Sequence, residues 1–177
     1  MIARLVGSEM CIRDSVNDCF QRSMNGKPLA FDSAEMNAIM AYMKWLSSGV
    51  PVGTNVTGRG FEKIDTALVP NREHGKAVYA AQCASCHGAD GQGMKNPQGG
   101  YVFPPVWGKD SFNIGAGMAR MYTAAAFVKH NMPLGQGGTL SAQDALDVSA
   151  YFTAQPRPDY AARANDWPKG DKPKDAR

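Results

Sequence analysis

Cys83-Ala84-Ser85-Cys86-His87 puts two thiols and an imidazole within one helical turn. Residues three and four apart on a helix share a face, so all three groups can act on one object. A C-x-x-C-H run reads as an attachment site for a c-type haem. The thiols would add across the two vinyl groups of the porphyrin as thioethers, and the imidazole would ligate the iron. A thioredoxin-like dithiol would sit in a βαβ context, which is missing here. Structural zinc usually takes four protein ligands, and no second Cys or His pair follows at zinc spacing. The chemistry these residues predict is electron transfer at a haem iron.

Such an iron usually takes a second axial side chain. Met94 lies only seven residues past His87, too near to cross the ring. Met118 and Met121 fall in a helical stripe and read as packing; His74 reads as an exposed residue at a helix start. Met132 follows a helix and precedes Pro133, which biases it towards extended backbone, and 45 residues of chain separate it from His87. Met132 is the predicted ligand. His130 is the alternative, since imidazole is equally competent, while Met/His ligation would raise the reduction potential. On the histidine side, a carbonyl of Pro104 or Pro105 could accept the other ring N–H and raise ligand basicity. Trp107 is counted with Pro105 among the cofactor-binding residues.

The surrounding elements must hold these groups. A chain of 177 residues accommodates one domain, or one plus part of another. Nineteen glycines and eleven prolines suit long loops wrapped around a cofactor. A formal charge of +3 gives no case for nucleic acid, no apolar run could span a bilayer, and four cysteines are too few for a disulfide framework. Asp32 and Glu35 suggest a capping box opening a helix with Met36, Ile39, Met40, Met43 and Leu46 as its core-facing stripe. Gly49 to Asn71 reads as an extended connector, and Arg72–Gln82 as a helix leading into the haem motif. Residues 88–100 read as a turn-rich loop, followed by a proline-broken apolar segment at 101–108. A third helix is predicted from Gly117 to His130, and a fourth from Ser141 to before Pro156, burying Val148 and Phe152. Val16 to Leu29 reads as a loop or short helix and turn.

The first fifteen residues stand apart. Glu9-Met10-Cys11-Ile12-Arg13-Asp14-Ser15 looks like a translated transposon-end sequence from library preparation, so 1–15 is expected to be a non-native scar. The natural protein would then extend further on its N-terminal side.

From Gly75 to Pro158 the chain resembles a class I cytochrome c domain. The expected fold is therefore all-α, with helices and long loops around one covalently bound haem c. More narrowly, the chain resembles the C-terminal part of the dihaem thiosulfate dehydrogenases, which join two thiosulfates into tetrathionate. That resemblance rests on Asp18 to Gly26, on Phe103 to Met118 and on Asn131-Met132-Pro133-Leu134-Gly135. It implies that 16–48 is the remnant of a first cytochrome c domain, 49–71 a linker, 72–158 the cytochrome c domain and 159–177 a mobile tail.

The resemblance also assigns roles. Cys19 matches the thiolate ligand of the first haem, whose own C-x-x-C-H is missing from this chain. Arg22 and Ser23 become candidates for holding the dianionic substrate. Some relatives carry Lys where Asn131 stands and exchange it with Met at this haem; Asn131 cannot, so stable methionine ligation is expected. The implied partner is a soluble electron acceptor such as another cytochrome c, and the implied location is the periplasm. The intact parent would be the enzyme and this chain its electron relay. A plain monohaem carrier, or a cytochrome subunit of another enzyme, is the competing reading.

Overall fold

A computed structural model of the chain describes residues 2–58 and 60–177, with side chains from residue 9 onward. Six α-helices run in order: α1 Ile2–Asp18, α2 Ala34–Leu46, α3 Arg72–Gln82, α4 Ala84–His87, α5 Met121–Asn131 and α6 Ala142–Thr153. The only strands among the described residues, β1 Met94–Lys95 and β2 Tyr101–Phe103, form one short antiparallel pair.

Local sequence explains where the helices start and stop. Asn71 and Ser141 cap α3 and α6, each accepting the backbone N–H three residues on, from His74 and Asp144. These contacts satisfy donors that an unpartnered first turn would leave free. The cap of α2 is Ser33 rather than Asp32, its hydroxyl accepting from Met36 N at 3.2 Å. The predicted start was one residue early. Helix α5 ends at Asn131, two residues before Pro133.

Helices α3, α5 and α6 make the core. Val78 and Tyr79 of α3 meet Ala124 and Val128 of α5 and Val148 and Phe152 of α6. Each large apolar side chain so buried contributes roughly 1.5–3 kcal/mol. Where α3 crosses α6 the backbones touch: a Cβ on Gly75 would stand 1.9 Å from the Asp147 carbonyl oxygen. The same crossing is braced by Asp147, 1% exposed, whose carboxylate accepts from Asn71 N, Gln143 Nε2 and His74 Nδ1. The connector is anchored over the α5/α6 side by Ile64, buried with Ala125, Ala126 and Leu146.

Four segments bear on the sequence expectations. Residues 16–23 are helical throughout, α1 passing into a π-helical turn over Cys19–Ser23. Helix α1 also runs unbroken across the proposed scar boundary at Ser15; Arg13 is 7% exposed and donates to Phe31 O and Asn37 Oδ1. The stripe of α2 is core only at Met36, whereas Met43 and Leu46 stand 42% and 56% exposed beside Trp45 and Tyr42. Finally, the 159–177 segment is laced down rather than mobile, by Asp166 to Arg22 and by Asp175 Oδ2 to Tyr122 N.

Candidate haem site

Helix α3 delivers Cys83 at its end, and the single turn of α4 carries Cys86 and His87 on the same side. All three line one cavity of about 640 Å³ whose wall is otherwise almost wholly apolar. Its walls come from separate parts of the chain: Pro104 and Phe112 from the loops, Val128 from α5, Val148 and Phe152 from α6.

The imidazole is oriented by a backbone acceptor. His87 Nδ1 lies 2.8 Å from Pro104 O. A carbonyl can only accept, so Nδ1 carries the proton and Nε2 keeps the lone pair a metal requires. Pro104, not Pro105, is the partner; Pro105 contributes to the cavity wall only. Two glycines bring this carbonyl into place. At Gly91 a Cβ would lie 2.2 Å from Trp107 Cδ2, and at Gly93 one would lie 2.3 Å from Phe103 O, both with φ near +70°. Gly93 N donates to His87 O at 2.8 Å and Val106 N to Gly91 O at 2.9 Å. Trp107 therefore has a different role from the one expected. It is 9% exposed, outside the cavity wall, and packs on Tyr79 and Tyr151 behind the Gly91 turn.

Burial next to Cys86 pushes the Cys83 thiol up to about 11. A dithiol of the thioredoxin kind works with a depressed pKa, and the Cys83 shift runs the other way. Among the described residues no group of three or more His, Cys, Asp or Glu is placed to hold a metal ion. A preset Nε2, two adjacent thiols and an apolar cavity fit a haem.

The second axial candidates separate in space. Met132 and Met118 line the cavity with Met24. His130 is exposed and absent from the wall, and His74 is bound to Asp147. Lys129 is engaged with the carbonyls of Gly138 and Leu140. The alternative ligand His130 is thus displaced, whereas Met118, read as packing alone, reaches the wall.

The three residues on the π-helical turn behave differently from one another. Cys19 is exposed and its thiol is free. Ser23, four residues on, lines the cavity. Arg22 is turned to the tail: Nη1 and Nη2 each reach the Asp166 carboxylate at 2.8 Å, and the guanidinium lies 4.6 Å from the centre of the Tyr160 ring. This bidentate pair raises the Arg22 pKa and occupies the fork that a dianion would need. In this chain Arg22 clamps the π-helical turn to Asp166. Asn113, 1% exposed, backs it by donating to Gln21 O and Asn25 Oδ1. An Asp166→Ala protein is expected to lose about 1 kcal/mol and to be cut faster by protease after residue 158. Asp18→Ala, which removes one exposed contact at 3.3 Å, should leave the cleavage rate unchanged.

Sequence reasoning missed Phe112 and Asp166. Neither belongs to a periodic stripe, so nothing in their spacing marked them.

These features define a c-type cytochrome domain. Residues 70–152 match the family described as cytochrome C oxidase, cbb3-type, subunit III. The chain is similar in sequence to proteins named thiosulfate dehydrogenase. It is 52% identical over 94% of its length to the enzyme of that name from Psychrobacter arcticus, and 47% identical over 86% to that from Allochromatium vinosum. It spans about half the length of these curated relatives. Thiosulfate dehydrogenase TsdBA from Marichromatium purpuratum superposes on 93% of this chain with a TM-score of 0.77 at 36% identity, the match covering 37% of that structure. The protein is a haem-binding, electron-transferring cytochrome. No described helix is long and apolar enough to cross a membrane.

Proposed function

We propose that this chain is the electron-relay portion of a thiosulfate dehydrogenase located in the periplasm. Two thiosulfates form one S–S bond to give tetrathionate and release two electrons. The observation that carries the reading is the adjacency of two sites on one turn of backbone. Cys19 begins the π-helical turn and Ser23, at its end, lines the cavity of His87.

In this reading Cys83 and Cys86 would hold a haem c through thioether bonds, and His87 Nε2 and Met132 Sδ would ligate its iron. A bound haem c supplies a store for one electron at a potential that Met/His ligation raises. Pro104 O holds the imidazole in one tautomer, and the apolar wall excludes water. In the intact protein Cys19 supplies a thiolate to a second haem in the preceding domain, where Ser23 offers a hydroxyl to substrate. Arg22 fixes the distance between the two sites by its grip on Asp166. A soluble cytochrome c is the acceptor.

The test uses the full-length gene product with both haems loaded. Thiosulfate is expected to reduce an added cytochrome c with tetrathionate as product, and Cys19→Ala to abolish turnover while the haem at Cys83 and Cys86 is retained. Absence of turnover in the loaded wild type would leave a plain electron carrier.

A further inference from the structure

The last carbonyls of the π-helical turn over Cys19–Ser23 need donors from beyond the helix. Two are met by the chain that follows: Met24 N donates to Cys19 O at 3.1 Å, and Gly26 N to Phe20 O at 2.8 Å. The next two, on Gln21 and Arg22, are met by a single distant residue. Asn113 Nδ2 donates to Gln21 O at 2.7 Å, and Asn113 N to Arg22 O at 3.1 Å. The same Nδ2 reaches Asn25 Oδ1 at 3.2 Å, just past the turn.

Asn113 is itself fixed. It is 1% exposed, its Oδ1 accepts from Gly115 N and its carbonyl from Ala116 N, so each of its polar groups is paired. Its neighbours tie it to the haem cavity and to the tail: Phe112 lines the cavity, and Ile114 N donates to Pro158 O at 2.9 Å. A fully satisfied buried amide specifies one arrangement. Here it specifies the turn whose Ser23, with Met24 after it, also lines the cavity. Such i to i+5 turns are rare and recur at functional sites. Relaxation to the α register would rotate Ser23 and Met24 about the helix axis relative to that wall. The Arg22–Asp166 pair holds the turn only through a long side chain, whereas Asn113 holds its backbone.

We propose that Asn113 is a positioning residue for the sulfur chemistry: it locks the π register and so sets where Cys19 and Ser23 stand relative to the haem of His87. The assignment rests on the reading of Cys19 as an iron ligand in the intact protein.

The experiment uses the full-length gene product with both haems loaded. Asn113→Asp keeps the size of the side chain and the acceptor for Gly115 N, and loses the donor to Gln21 O and Asn25 Oδ1. The near-infrared and electron paramagnetic resonance signals of the thiolate-ligated haem are expected to shift or vanish. Turnover at saturating thiosulfate should fall roughly tenfold or more, as small misplacements of reacting groups do. The near-infrared band of the methionine-ligated haem should stay. Asn113→Ala, which adds no charge, should do the same. Gly75→Ala, which strains the α3/α6 crossing instead, should melt earlier yet leave the thiolate signals and turnover in place. Unaltered thiolate signals and turnover in both Asn113 variants, or an equal loss in Gly75→Ala, would reduce Asn113 to a general fold contact and overturn the proposal. Should the Asn113 variants fail to fold, hydrogen exchange of the wild type decides. The amides of Met24, Gly26 and Asn113 close one turn and should exchange at a common rate; a Met24 amide that exchanges far faster than that of Asn113 rejects the lock. A wild type without thiolate signals would instead strike down the reading of Cys19, before any variant is compared, and the assignment with it.

Discussion

Replacing Met132 with glycine is expected to abolish the near-infrared band of methionine-ligated ferric haem. The reduction potential should fall by roughly 0.1 V or more, within the ~0.8 V range that axial ligands span. The expectation follows from how the residue is held. Met132 N donates to Val128 O at 3.0 Å, closing α5, and the backbone then turns extended along the cavity. The segment after it is tied back onto α5. Lys129 Nζ donates to the carbonyls of Gly138 and Leu140, Gly138 N returns a bond to Lys129 O at 2.8 Å, and the backbone at Gly137 passes so near the His130 carbonyl that a Cβ there would clash with it. A side chain on such a closed loop is preorganised, which a metal ligand requires. Met118→Leu should keep the band. The opposite pattern, with the band lost in Met118→Leu and kept in Met132→Gly, would move the ligand to Met118.

The largest expected effect on stability comes from Gly75→Ala. The added methyl would stand 1.9 Å from Asp147 O and 2.9 Å from Val148 N, both backbone atoms that cannot swing aside. Helices α3 and α6 would have to separate, straining the core and the carboxylate network of Asp147 together. Overpacking typically costs 1–3 kcal/mol, and the upper end applies where backbone meets backbone. With 2–4 °C lost per kcal/mol in a chain of this size, the Tm should fall by about 10 °C. Gly117→Ala is the control, since its nearest neighbour is an Arg120 side-chain atom at 3.8 Å. A melt in which both variants match wild type would show that the crossing is looser than described.

What the residues announced in advance was the local chemistry. Cys83, Cys86 and His87 form a short-range motif, and their placement on one side within one turn needs no tertiary information. The helices α3, α5 and α6 were legible because their caps and apolar spacing are also local. Errors fell where the outcome depends on distant partners. Arg22 looked free to bind a dianion until Asp166, 144 residues away, took its guanidinium. Trp107 looked like a haem contact, but the absence of a Cβ at Gly91 let the indole pack behind the turn instead. The α2 stripe read as core from periodicity alone, and periodicity does not say whether a covering surface exists. Choosing Pro104 over Pro105 required the carbonyl direction, which sequence does not carry.

The cavity also bears on biogenesis. The cavity of about 640 Å³ is bounded by side chains from the loops, α3, α5 and α6. A haem in this space would cover the apolar walls of Val128, Val148 and Phe152 and so stabilise the fold by removing that surface from water. The cofactor would then be a structural member as well as an electron store, and loading and folding would be coupled.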